Sequence, residues 1–187
     1  MFAQPATEYK STNARTSRPP RAPRLFVRPI RASDAAALQA GFERLSDESR
    51  YFRFHAGMRR LPEGLLRYLT QVDGVDHVAL VGFEAQGVTE GRGVAVARFV
   101  RDREQPTTAE LAVVVIDELQ GRGIARRMLA KLAEVAAERG IERFKASVLA
   151  GNKRARGLLK SLGAVVKSSP GEVTAFELPV ALLRGAS

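Results

Sequence analysis

The stretch AELAVVVIDELQGRGIARRMLAKL, residues 109–132, decides the fold. Its first part, AELAVVVI (109–116), is nearly continuously apolar and reads as a strand covered on both faces. Its last part is a helix. On a helical wheel from residue 124, Ile124, Met128, Leu129, Leu132, Val135 and Ala136 share one side, and Arg126, Arg127, Lys131, Glu134 and Glu138 share the other. Between them lie Gly121 and Gly123 with Arg122 in the middle. A buried strand that turns through glycines into a helix leaves the N–H groups of residues 121–125 without helical partners. Two missing Cβ atoms let an anion reach that backbone, the helix dipole favours negative charge there, and Arg122, Arg126 and Arg127 add full charges.

Phosphate-binding turns of other kinds do not fit. A P-loop needs Lys-Ser/Thr after its last glycine, where this chain has Ile124-Ala125. A dinucleotide fingerprint needs a third glycine where Arg126 stands.

Working outward, RLFVRPI (24–30) alternates as a strand, and ASDAAALQAGFERL (32–45) reads as a helix capped by Ser33 or Asp34. SDESRYFRFH (46–55) reads as a short helix capped by Ser46, and Pro62 opens another in PEGLLRYLTQV. HVALVGFEA (77–85) and GVAVARFVRD (93–102) are valine-rich strands, joined by an expected turn at EGRG. Gly140 stops the long helix. IERFKASVL (141–149) is a strand, and NKRARGLLKSL (152–162) is a helix capped by Asn152 and ended by Gly163. Two last strands, 164–168 and 173–178, flank SSPGE. This order predicts an α+β domain in three αβα layers, a central mixed sheet of six to seven strands with helices on both faces.

Composition narrows the function. The chain of 187 residues has no cysteine, so thiol catalysis, disulfides and thiolate metal sites are excluded, and His55 and His77 alone cannot make a histidine-rich metal site. No metal is expected. The apolar run of residues 111–116 is far shorter than the roughly 20 residues that span a bilayer. A soluble protein, located in the cytoplasm and without a membrane partner, is the expectation. The net charge of +10 is uneven: seven cations oppose only Glu8 up to residue 31, which leaves +4 for the remainder. Nucleic-acid binding is therefore not expected as the main role. Residues 1–23 have few large apolar side chains and read as a disordered basic tail ahead of a domain at 24–187; RPPRAP would break the amphipathic helix of a transit peptide.

The longer pattern is more specific. QGRGIA (120–125) after a buried strand, followed one strand later by NKRARGLLKSLGA, resembles the acetyl-CoA-binding core of the GNAT superfamily of N-acetyltransferases over residues 24–178. Gln120, Gly123 and Ala125 meet its Q/R-x-x-G-x-G/A pattern, and Asn152 and Ala155 meet its asparagine-led helix. The resemblance implies a sheet splayed at a cofactor slot. There the backbone of Val113, Val114 and Val115 pairs with the pantetheine arm of acetyl-CoA, and Gln120, Gly121, Arg122, Gly123, Ile124, Ala125 and Arg126 wrap the pyrophosphate. Val113 and Val115 also suit a packed core. Asn152 suits a helix cap with a second contact to the cofactor, and Lys153, Arg154 and Arg156 suit either the adenosine phosphate or a solvated helix face.

Acetyl transfer needs a neutral amine, and a lysine of pKa about 10.4 is neutral in only about one part in 2,500 at pH 7, so a base is required. Glu110 is the candidate, at the start of the strand that would hold the thioester; partial burial would raise its pKa into a useful range, although an ordinary strand-edge carboxylate reads the same way. A backbone N–H near Val115 would stabilise the oxyanion. Many relatives carry a tyrosine acid where this chain has Leu159, so water would protonate the thiolate, or the thiolate would simply leave. FERLSDESRYFRF (42–54), with Glu110 and the glycine turn, is similar to the acetyltransferase domain of bacterial Pat-type protein lysine acetyltransferases, which implies a protein lysine as acceptor and an acyl-CoA synthetase as partner. At least two of Tyr51, Phe52 and Phe54 are expected to be core aromatics, and Arg50 and Arg53 could receive an acidic substrate surface. A small amine as acceptor, or a non-catalytic acyl-CoA sensor, are the competing readings.

Overall fold

A computed structural model describes residues 23–86, 89–168 and 171–184. The tail expected at residues 1–23 lies outside these except for Pro23.

Seven strands form one sheet. They are β1 (Leu25–Pro29), β2 (His77–Gln86), β3 (Thr89–Arg101), β4 (Thr108–Val115), β5 (Arg143–Leu149), β6 (Val165–Ser168) and β7 (Val173–Pro179), in the order β1-β2-β3-β4-β5-β7-β6. All neighbours are antiparallel except β4 and β5, which are parallel and joined by the crossover helix α4 (Ile124–Glu138). Helices α1 (Ala35–Glu43), α2 (Asp47–Phe54) and α3 (Glu63–Thr70) precede β2, and α5 (Lys153–Ser161) follows β5. This is the three-layer α+β arrangement expected.

The apolar stripe of α4 does what its period dictates. Met128, Leu129, Leu132, Ala133 and Ala136 are buried against Leu80, Ala97, Phe99 and Leu111 of the sheet, with Leu159 of α5 in the same core. Val135 is only partly buried against it. On the other face, Ala37 and Leu38 of α1 pack with Val81, Phe83 and Val96, while Phe42, Leu61 and Leu69 close a smaller cluster under α2 and α3. Val114 touches both of these clusters.

Two local expectations change. EGRG is not a turn: β3 already begins at Thr89, and its register against β2 shifts around Phe83. The charged residues that suggested a turn are instead cross-strand partners. Arg28 donates from Nε to Glu90 at 2.7 Å, and Arg92 donates to Glu84 at 2.6 Å. Neither Ser33 nor Asp34 caps α1 with its side chain, because residues Ala32–Asp34 form a 3-10 turn ahead of it. Asp34 reaches back to that turn, accepting from the Arg31 N–H at 2.7 Å, and both of its oxygens accept from Arg28. The bidentate Arg28 contact, foremost, holds this buried carboxyl below its ordinary pKa. Ser46, by contrast, caps α2 by accepting from the Ser49 N–H.

No helix among the described residues is long and apolar enough to cross a membrane.

Candidate active site

The parallel pair β4 and β5 meets over only three positions, Thr108 with Arg143, Ala109 with Phe144 and Glu110 with Lys145. Beyond Glu110 the strands part. β4 stays paired with β3 as far as Val115, and β5 stays paired with β7 as far as Leu149. The sheet is therefore split by a slot that opens at Glu110.

Backbone parity shows what lines that slot. The Ile116 N–H donates to the Val94 carbonyl, and the Thr107 carbonyl accepts from Glu142 and Arg143. Along β4, even-numbered peptides thus turn to β3 and odd-numbered ones turn to the β5 side. Val113 and Val115 face the slot with their peptide groups, whereas the Val114 backbone is committed to β3. Of the three valines expected to meet a cofactor by main chain, two are placed to do so. The Val115 carbonyl is already engaged, accepting from Gln120 Nε2 at 3.0 Å, and this leaves its N–H toward the slot.

At the far end of the slot lies the glycine turn. Gly121 and Gly123 hold φ of 74° and 79°, left-handed values that cost other residues about 1–2 kcal/mol. Nothing stands within 4 Å of where a Cβ would be on either. From Gly121 to Arg126 no backbone N–H has an acceptor among the described residues; the next, Arg127, donates to the Gly123 carbonyl and starts the helix ladder. Six successive donors at the positive end of a 15-residue helix make an anion cradle.

The side chains around this cradle are less free than expected. Gln120 is a brace: Nε2 donates to Val115 and, at 3.3 Å, to Ser49 Oγ, while Oε1 accepts from Arg154 at 2.7 Å. Arg126 donates to Ser161 Oγ, and Arg127 reaches the Pro23 carbonyl. Asn152 is the cap it resembles, accepting from the Ala155 N–H at 3.0 Å. Arg156 donates from Nη1 to the Ala150 carbonyl, and its buried Nε has no partner among the described residues. Ile124 is buried in the core, so it contributes its N–H alone; Ala125 is half-buried.

Asp117 was not among the expected site residues, yet it ties the site together. It accepts from the Ser46 N–H at 3.0 Å, from Ser46 Oγ at 2.9 Å and from Ser49 Oγ at 2.8 Å, which fixes the start of α2 to the segment between β4 and the glycine turn. Burial works against its charge, but these bonds outweigh burial and hold the carboxyl below its ordinary pKa. The available signal was weak, one acidic residue just past a strand and two serines some 70 positions away.

Glu110 needs a correction. It is exposed, not partly buried, near the start of β4. Its place at the mouth of the slot remains. Leu159 is buried at 5% exposure and is packing, with no hydroxyl to offer. Phe54 packs edge-on to Phe42 at 5.5 Å, Phe52 is half-buried beside Gly151, and Tyr51 is exposed. Arg50 is unavailable to a substrate, since it holds the Phe42 and Glu43 carbonyls and Asp47. No group of three or more His, Asp or Glu side chains able to hold a metal occurs among the described residues.

The site is thus a parallel pair that splits at Glu110, with a cradle of backbone donors at the far end of the slot. Residues 41–164 match the acetyltransferase (GNAT) family, and the chain belongs to it. Among curated relatives, it is 37% identical over 140 residues to acetyltransferase Pat of Mycolicibacterium smegmatis, covering 75% of this chain and 41% of that one. It is 28% identical over 150 residues to an acetyltransferase of Pseudomonas aeruginosa, covering 80% of each. The chain thus spans about two fifths of the mycobacterial protein. Among solved structures, the GNAT domain of S. lividans PAT superposes with a TM-score of 0.75 at 37% identity, over 82% of this chain and 89% of that one. YncA of Salmonella typhimurium, solved with its cofactor acetyl-CoA, shares the fold with a TM-score of 0.65 at 20% identity, over 83% of this chain and 94% of that one.

Proposed function

We propose that this acetyltransferase uses acetyl-CoA and transfers the acetyl group directly to a primary amine, the side chain of a lysine in a protein. The observation that carries the reading is the continuity of the slot: six N–H groups without an acceptor among the described residues at one end, the Val113 peptide groups and the Val115 N–H turned toward it along its length, and Glu110 where it opens. Acetyl-CoA fits these demands. Its pyrophosphate takes the cradle donors, and the two amides of its pantetheine arm complete the unpaired edge of β4 as an added strand would.

In the reaction, the amine nitrogen attacks the thioester carbonyl carbon. The carbonyl oxygen gains charge and is received by the Val115 N–H. The C–S bond breaks with its electron pair going to sulfur, and the proton lost by the nitrogen passes through water to the Glu110 carboxylate, which stands five residues back along β4. Water protonates the departing thiolate, since Leu159 cannot.

A protein acceptor is favoured over a polycationic small amine by the charge beside Glu110. Arg53 and Arg98 line the neighbouring recess and would repel a polyamine. The target we propose, a lysine of an acyl-CoA synthetase met in the cytoplasm, rests on the resemblance of residues 42–54, with Glu110 and the glycine turn, to Pat-type enzymes. The test is transfer of labelled acetyl from acetyl-CoA into a cell extract resolved into protein and small-molecule fractions, with wild type beside Glu110→Gln. Label in specific protein lysines, reduced at least about a hundredfold in the variant, is expected. Label in small molecules alone refutes the protein acceptor, and unchanged rates in Glu110→Gln refute the base.

A further inference from the structure

We propose that the recess between Arg53 and Arg98 binds a carboxylate carried by one of the two substrates, and so selects for it. The inference rests on the reading that the thioester lies along β4.

The recess is shallow and is lined by Leu38, Phe54, Leu69, Val114 and the two arginines. It lies on the face of the sheet that carries Glu110. In the β3–β4 register Arg98 stands opposite Ala112 and Val100 opposite Glu110, so Arg98 and Glu110 are diagonal neighbours on one face, about 7–8 Å apart at their backbones. A group held by Arg98 would therefore lie on the Glu110 face of the sheet, beside the middle of the strand along which we place the thioester.

Both guanidinium groups lack an acid. Arg98 is only 5% exposed, yet its two acceptors are neutral, the Leu69 carbonyl at 2.8 Å and His77 Nε2 at 3.0 Å. Those bonds use two of its five N–H donors. Arg53 is half-buried with its guanidinium on the Phe54 ring at 4.8 Å, and no acceptor for it occurs among the described residues. Other arginines of the sheet are paired: Arg28 with Asp34, Arg92 with Glu84, Arg101 with Asp76. Arg53 feels the field of Glu110 and, less, that of Tyr68, with no ion pair to either. Burial, then the proximity of Arg53, pulls the Arg98 pKa down to about 10, and burial also lowers that of Arg53. Two cations taken from water side by side cost free energy that an anion placed between them returns. Arg98 presents a fork held by the Leu69 carbonyl and His77, and Arg53 one with no acceptor among the described residues, donors that can take a carboxylate by charge-assisted bonds.

The carboxylate has two possible carriers, the acyl chain of a dicarboxylic acyl-CoA or the acceptor near its lysine. Two substrate comparisons distinguish them: succinyl-CoA against acetyl-CoA with one acceptor, and Nα-acetyl-lysine against its amide with acetyl-CoA. Each is run with wild type, Arg53→Gln and Arg53→Lys; Arg98→Gln is added if it folds. In parallel, glutarate is titrated into the full chain while the arginine Nε–H resonances are followed by NMR.

We expect saturable shifts of the Arg53 and Arg98 resonances, and in one comparison a preference in kcat/KM for the carboxylate-bearing substrate. That ratio should fall about ten- to a hundredfold in Arg53→Gln and recover in part in Arg53→Lys. No saturable shift with glutarate overturns the proposal. So does a shift with no preference in either comparison, because the recess would then not act on a substrate. Absence of transfer from any pair defeats the transferase reading instead and leaves the glutarate titration to decide the recess.

Discussion

Replacing Gly123 by alanine separates the cradle from the rest of the fold. At φ 79° an alanine is strained, and since no atom stands within 4 Å of the new Cβ, the cost is conformational and not a clash. That cost is about 1–2 kcal/mol, which for a domain of this length lowers Tm by about 2–8 °C and leaves it folded. Relief of the strain requires φ to move toward negative values, and this swings the adjoining peptides so that at least one N–H leaves the cradle. One charge-assisted bond to phosphate lost is about 1.5–3 kcal/mol, or about ten- to a hundredfold in Kd for CoA. Gly140→Ala is the matched control: its φ is 72°, its Cβ also meets nothing within 4 Å, and it lies at the other end of α4. Calorimetric titration with CoA and thermal melts of both variants provide the comparison. Equal losses of stability with weakened CoA binding only in Gly123→Ala are expected. CoA binding as weak, or as strong, in both variants would refute the assignment of the cradle.

Two other outcomes follow from the titrating groups. Asp117→Ala removes three bonds that fix α2 to the glycine turn and should lower stability by about 1–2 kcal/mol, or about 2–8 °C in Tm. Because the folded Asp117 carboxyl lies below its ordinary 3.8, its contribution is complete above that pH and is lost as pH falls through the folded value; the Tm gap between wild type and variant should close in strong acid, and a gap that persists at the lowest pH where both fold counts against the tie. His77 must accept at Nε2, since Arg98 can only donate, and so carries its proton on Nδ1. Burial, then the Arg98 charge, lowers its pKa from 6.5 against the pull of Asp73. The unfolded chain therefore binds this proton first as pH falls, and stability declines below 6.5; an NMR midpoint for His77 at or above 6.5 would contradict this.

What the sequence disclosed and what it hid divide along one physical line. Residues 109–132 were legible because each feature there is local: a run of apolar side chains, two glycines that permit left-handed φ, and a 3.6-residue stripe. The order of elements then constrains the topology, since a strand, helix and parallel strand admit essentially one handedness. Glu110 shows where this logic ends. Apolar neighbours in sequence suggested burial, but neighbours in a strand point to alternate faces, and only the extent of α1, α2 and α3 decides what covers the last turn of that face. EGRG misled for the converse reason, because its charges satisfy partners on β1 and β2 that are distant in sequence.

The same line explains why the contacts that join the two halves of the site were unforeseen, at Asp117, which was not expected there, and at Gln120, which was expected as a cofactor contact and not as a brace. Asp117 and Gln120 both reach α2, through Ser46 and Ser49, and Gln120 reaches α5 through Arg154. Contacts of this kind span separations in sequence that no local period encodes. Yet they set the distance between the glycine turn, where we place the CoA pyrophosphate, and α2, which carries Arg53. A rigid spacer between two binding regions is what an attack of amine on thioester requires, because bringing the reacting atoms within about 3–3.5 Å depends on both being held in one frame. The acid that anchors this frame is Asp117, and the acid we propose to work within it is Glu110. One is identified by its bonds and the other by its freedom from them.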